Sequence, residues 1–164
     1  MGIDIHAYIE RYNKKYNRWE SLSLYKKCED GKFKQLEFYN YRDYILFYVL
    51  AGVRGVIGLD TTISPLRGLP DDLSDEVKKE YEEYKEIYYC ETWYDYCELI
   101  NYRNGYDEAL SYEDGELNFD DRVNKEPVLL SLTNFIKCID DVLDAYDIWL
   151  PNPGEIRIIL WFDC

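Results

Sequence analysis

The chain has 164 residues, a formal net charge of −14 and an apolar content of 47%; 18 residues are tyrosine. That length suits one domain that buries about two-thirds of its unfolded surface. No apolar run approaches the roughly 20 residues of a membrane helix, and so acidic a chain repels phosphate backbones, which disfavours direct binding to nucleic acid.

The charge is uneven. Residues 1–70 hold 11 basic and 8 acidic side chains, residues 71–164 hold 8 and 25, and the resulting +3 and −17 make up the −14. An anionic ligand therefore belongs near the N-terminal half. The acidic half reads as a solvated surface or as a face for a basic partner. Cys28, Cys90, Cys97, Cys138 and Cys164 are odd in number and form no CxxC pair, which favours a reducing cytoplasm over a disulfide framework or zinc knuckle. The first ten residues lack the basic and apolar regions of a signal peptide.

In chain order, residues 1–11 alternate, with Ile3, Ile5, Ala7 and Ile9 opposite Asp4, His6, Tyr8 and Glu10, which predicts a half-buried strand. A turn at 13–17 leads to a second strand over 18–25, with Trp19 on the sheet. Asp30-Gly31 marks a hairpin tip or exposed loop in the charged stretch 26–37. Residues 44–50 predict a helix with Ile45, Leu46, Val49 and Leu50 on one face, Asn40 or Asp43 as N-cap, and Gly52 and Gly55 as stops. Residues 56–66 read as loop, and Pro65 and Pro70 bar a helix there. Ser74 caps a helix that runs to about 89, with Val77, Tyr81, Tyr84 and Tyr88 in one stripe.

Residues 88–112 are dense in aromatic side chains, either a packed layer or a stacking platform for a flat ligand. Asn104-Gly105 predicts a turn, 113–126 an acidic loop, 131–145 a helix lined by Leu132, Phe135, Ile136 and Ile139, and 155–163 a last strand. The expected fold is α+β: one domain over 1–164, one mostly antiparallel sheet holding both terminal strands, two to three helices, and an acidic loop or insertion near 100–127.

Two sets of residues carry candidate chemistry. Asp4 and His6, at i and i+2, share a strand face. They fit hydrogen bonds within the fold, an acid–base pair, or, with Asp163, part of a Mg or Mn site. Arg42, Arg54 and Arg67 lie among glycines and tyrosines, and guanidinium groups both fork onto phosphates and stack on rings. Salt bridges to the many carboxylates are the competing role. Gly52-Val53-Arg54-Gly55 lacks the spacing and lysine of a phosphate loop, and no GxSxG, SxxK or HExxH pattern occurs.

The stretches MGIDIH (1–6), YRDYILF (41–47), LAGVRG (50–55), RGLPDDLS (67–74) and RIILWFD (157–163) cover about a third of the chain. In this combination and order the chain resembles a family of small phage and bacterial proteins. Members of that family carry a His-Ser-x-Ser-Trp-like stretch where Cys90-Glu91-Thr92-Trp93 stands here. The resemblance implies no enzyme activity. By context it is similar to phage anti-defence proteins that sequester nucleotide immune signals. The expectation is a cytoplasmic binding protein, without cofactor or metal, acting on a nucleotide-derived small molecule such as a cyclic ADP-ribose or cyclic oligonucleotide. Its ligand-binding residues would be Arg42, Tyr44, Arg54, Arg67, Gly68, Trp93, Tyr94 and His6, in a pocket between sheet and central helix, with a homo-oligomer compatible. The alternatives are an acidic inhibitor or nucleic-acid mimic, and a metal-dependent phosphodiesterase using Asp4 and His6.

Overall fold

The computed structural model describes residues 2–55, 62–111 and 119–163, the side chains of 108–111 and 119–124 aside. Its elements are β1 (Asp4–Asn13), β2 (Arg18–Ser21), β3 (Leu24–Lys27), β4 (Phe33–Leu36), α1 (Tyr44–Ala51), α2 (Asp75–Tyr84), β5 (Tyr89–Asp95), α3 (Tyr96–Ser111), α4 (Phe119–Ala145) and β6 (Ile156–Asp163).

Four strands form an antiparallel sheet in the order β2-β1-β6-β5, so both terminal strands lie at its centre. Asp4 pairs with Asp163 and Arg11 with Ile156, and the ladder between them is unbroken. This is the expected α+β architecture, with four helices among the described residues. Residues 156–162 of β6 are all buried, because both faces of the strand are covered. On one face Ile5, Ile9, Ile158, Leu160 and Phe162 pack against α1, α3 and α4 through Leu46, Phe47, Leu50, Leu99, Leu132, Phe135 and Ile139. Each such side chain stabilises the fold by about 1.5–3 kcal/mol relative to exposure. On the other face Val77 of α2 packs with Ile159 and Trp161, and Tyr8, Leu73, Tyr81, Tyr88 and Trp93 surround them.

The helix signals hold where local chemistry decides. Asp43, rather than Asn40, caps α1 by accepting from Leu46 N at 3.0 Å. Gly52 ends the helix at φ 69°, a conformation that suits a residue without Cβ, and donates to Tyr48 O at 2.7 Å. Ser74 caps α2.

Four expectations are corrected. The helix expected from Ser74 to about 89 ends at Tyr84, and Tyr89 begins β5. The strand over 18–25 is two strands: Leu22 N donates to Ile9 O at 2.8 Å, ending β2 against β1, and Ser23 O accepts from Tyr146 Oη, turning the chain into the β3–β4 hairpin. The expected turn at Asn104-Gly105 lies inside α3, which starts where Asp95 Oδ1 accepts from Cys97 N at 2.8 Å. Packing of Leu99, Ile100, Tyr102 and Tyr106 on the core outweighs the roughly 1 kcal/mol that a helical glycine costs. The acidic loop expected over 113–126 is helical from 119 onward, with Pro127 inside α4; residues 113–118 lie outside the described residues. Val128, Leu132, Phe135, Ile136 and Ile139 extend one buried stripe, and that stripe carries the helix through its proline. The loop expected at 56–66 falls outside the described residues up to 61.

Candidate functional site

Pairing of β1 with β6 sets Asp4 beside Asp163 and His6 beside Trp161 on one face. Arg42, one residue before the α1 cap, reaches across and donates from Nε to Asp4 Oδ1 at 2.6 Å and from Nη2 to Oδ2 at 3.0 Å. Gly2 makes room for it: a Cβ there would lie 2.5 Å from Arg42 Nη1. The hydrogen bond from Arg42 holds the Asp4 carboxyl below its ordinary range against a small opposing effect of burial, and the same bond raises Arg42. The two side chains are 56% and 51% exposed. Such a pair adds only about 0–1 kcal/mol to stability; its larger effect is to fix the guanidinium in place.

His6 Nε2 lies 3.0 Å from Asp163 Oδ2, and the carboxylate only accepts, so that nitrogen carries the proton in this pairing. The imidazole stacks on Trp161 at 6.2 Å and tilts against Tyr88 at 5.0 Å. Among the described residues, no three His, Cys, Asp or Glu side chains gather as metal ligands.

The candidate residues fall into two groups. Arg54, at φ 50°, lays its guanidinium 4.8 Å over the Tyr44 ring, and Tyr44 is near enough to Arg42 to act on its charge. Arg67 stands with β5 and α3. It forks onto Glu98, donates to Trp93 O at 3.2 Å and lies over the Trp93 and Tyr94 rings. Gly68, at φ 69°, donates to Glu91 O at 3.1 Å. Tyr94 is wholly buried and donates to Leu50 O, so its ring belongs to the core and offers no face to a ligand.

The space between α1 and the sheet is filled by Phe47, Leu50 and Phe162 rather than open as a pocket. The cleft that contains Arg42 opens instead between the approach to α1 and the polar side of α4. It encloses about 590 Å³ and is lined by Tyr39, Tyr41, Arg42, Asp43, Asn134, Lys137, Cys138 and Asp141. Tyr39 is buried and meets both Phe135 and Tyr41 edge-on, at 5.0 and 5.4 Å. Tyr41 thereby stands on the core while staying 64% exposed. Burial raises the Tyr39 hydroxyl well above its ordinary pKa, so it remains a neutral donor. The cleft combines a fixed guanidinium, an ammonium, an exposed ring and a side-chain amide with the carboxylates of Asp43 and Asp141.

Sequence reasoning missed Tyr41, Asn134 and Lys137. A signal existed: Asn134, Lys137, Cys138 and Asp141 recur at i, i+3, i+4 and i+7 opposite the apolar stripe. The pattern marks one face of α4 but does not say that Arg42 lies across from it.

Searches against family models, curated proteins and solved structures found no match.

Proposed function

We propose that this protein binds and sequesters a nucleotide-derived anionic molecule without cleaving it, in the cleft between the approach to α1 and α4. The observation that carries this reading is Arg42, oriented by Asp4 and standing with Lys137 and the exposed Tyr41 ring around one volume of about 590 Å³. A cleft of this size suits a small ligand. Arg42 and Lys137 would take phosphate oxygens, Tyr41 would stack on the base, and Asn134 would meet its edge. By context, such a protein would act as a phage anti-defence factor that captures a cyclic ADP-ribose or cyclic oligonucleotide signal.

The test is calorimetric titration with cyclic ADP-ribose and a set of cyclic dinucleotides, followed by heat release and mass analysis of the ligand. Tight binding with the ligand returned intact is expected, together with loss of binding in Arg42→Ala and Lys137→Ala. Altered ligand, or affinity indifferent to both substitutions, would overturn the reading.

A second reading is favoured by α2, which covers one face of the sheet and turns Asp75, Glu76, Glu80, Glu82 and Glu83 to solvent beside Lys78 and Lys79. It makes the protein an acidic inhibitor of a basic partner, with a complex that weakens steeply as salt rises.

A further inference from the structure

β1 uses one edge fully and the other only in part. β6 pairs along it from Asp4 to Arg11, whereas β2 pairs with Glu10 to Asn13 alone. Leu22 N reaches Ile9 O at 2.8 Å, and beyond that point toward Asp4 no strand pairs with this edge among the described residues. Backbone groups of a strand alternate between its two edges. Ile9 faces the β2 side, and Tyr12 N, on the opposite parity, donates to Glu155 O next to β6. Ile5 and Ala7 therefore turn their N–H and C=O groups to the open edge. No backbone hydrogen bond reaches them there from the described residues.

A cavity of about 310 Å³ runs along this edge. It is lined by residues 5–9 of β1, by Leu22 and Leu24, and by Lys34 to Phe38, a stretch that starts in β4 and runs past its end at Leu36. β4 is exposed along its whole length. Unpaired edge groups beside an open groove form a template for an added strand. At about 3.3 Å per residue, the span from Ile5 to Ile9 accepts three to four residues in extended form.

We infer that this groove binds an extended segment of another polypeptide by strand addition to β1, and that the segment alternates apolar and basic side chains. The alternation follows from the two faces of β1. An added strand would set one row of side chains beside Ile5, Ala7 and Val142, which are apolar, and the other beside His6, Tyr8 and Glu80. Glu37 and Glu80 outnumber Lys34 at the rim, and the chain as a whole is strongly acidic, so the second row calls for lysine or arginine. Main-chain bonds to Ile5 and Ala7 would supply affinity, and Glu80 would select sign. Tyr39 borders both this groove and the Arg42 cleft, but Arg42 does not line the groove, and the inference does not rest on the proposed ligand.

The experiment uses the full chain and capped peptides Val-Lys-Val-Lys-Val and Val-Glu-Val-Glu-Val, with an N-methylated form of the first. Fluorescence anisotropy reads affinity, and amide hydrogen exchange reads Ile5 and Ala7. The basic peptide is expected to bind at least about tenfold more tightly than the acidic one, a difference of roughly 1.4 kcal/mol, and to slow exchange at both amides. The N-methylated peptide is expected to lose that binding. Ala7→Pro, which removes one edge donor without touching the β6 ladder, is expected to abolish it, and Glu80→Lys, at an exposed α2 position, to reverse the charge preference. Arg42→Ala should leave it intact. Equal binding of the N-methylated peptide, no binding of any peptide, or amides of Ile5 and Ala7 already protected in the free protein would overturn the inference. Should Ala7→Pro fail to fold, Glu80→Lys and the N-methylated peptide still decide it.

Discussion

Arg157 and Glu10 meet wholly inside the protein, where Arg157 Nε donates to Glu10 Oε2 at 2.7 Å across the β1–β6 ladder. The pair is the hub of a larger fastening. Glu10 Oε1 accepts from Ser74 N at 2.7 Å, Arg157 reaches Asp72 through Oδ1 and the backbone oxygen, and its guanidinium lies 3.9 Å over the Trp19 ring. Four separate segments are joined at one buried charge pair. Burial alone would raise the Asp72 carboxyl, but bonds from Arg157 and Trp19 outweigh it and hold that group below its ordinary value.

Removing the arginine leaves Glu10 buried without its cation, and Arg157→Ala is expected to cost about 3–5 kcal/mol. Glu10→Ala is expected to cost less, because Asp72 still pairs with Arg157. The double variant Glu10→Leu with Arg157→Met should lose much less than the sum, because no lone charge remains. Guanidinium unfolding of the three proteins checks this. A double variant as unstable as the sum of the singles would mean that the pair carries no special coupling.

Tyr94 donates from a wholly buried hydroxyl to Leu50 O at the C-terminal end of α1, where helical carbonyls lack partners. Tyr94→Phe keeps the ring and strands that carbonyl. The expected loss is about 1–3 kcal/mol in thermal or denaturant unfolding. A variant as stable as the parent would assign the carbonyl another donor.

Glu155 accepts from Lys14 and from the backbone and side chain of Asn152, and these bonds lower its pKa from 4.5 to about 2. A carboxyl held down in the folded state binds its proton more readily when unfolded. Its contribution to stability is complete above about pH 4.5 and is lost as pH falls toward 2. Asp4 and Asp72, also lowered, act in the same direction. Stability should therefore decline through this acid window, and Glu155→Gln should flatten the decline while lowering stability at neutral pH. Chemical denaturation at stepped pH measures both; a parallel curve for the variant would remove Glu155 from the account.

The elements that local chemistry decides were legible in the sequence. Alternation in 1–11 and 155–163 gave the two central strands, Ser74 its cap, and Gly52 the end of α1. The helical course of 104–105 and 119–130 was not legible, since a glycine, a proline and many carboxylates argue against helix locally. Only packing of Leu99, Val128 and Leu132 on a distant core reverses that. The site behaved likewise. Asp4, His6 and Arg42 were visible as chemistry, and the join of Arg42 to Asp4 is long-range. The arginines read as one cluster divide between Asp4, Tyr44 and Glu98, because carboxylates and rings on other elements claim them.

Gly2 offers a test of Arg42 that keeps the guanidinium. A Cβ at position 2 would come within 2.5 Å of Nη1 and 2.7 Å of Cζ, the far end of a side chain that can swing away. Gly2→Val should therefore detach Arg42 from Asp4 without opening the core. The exposed pair contributes little to stability, so unfolding should shift by under about 1 kcal/mol. Asp4 should return toward the ordinary carboxylate range, since the bond that lowers it is gone. Binding of the nucleotide ligand should weaken roughly tenfold, because an oriented guanidinium loses less freedom on meeting a phosphate than a loose one. Titration of the variant beside Arg42→Lys, which keeps charge but not the fork, separates orientation from charge. If Gly2→Val binds as tightly as the parent while its Asp4 signal titrates normally, the Asp4–Arg42 clamp has no part in recognition.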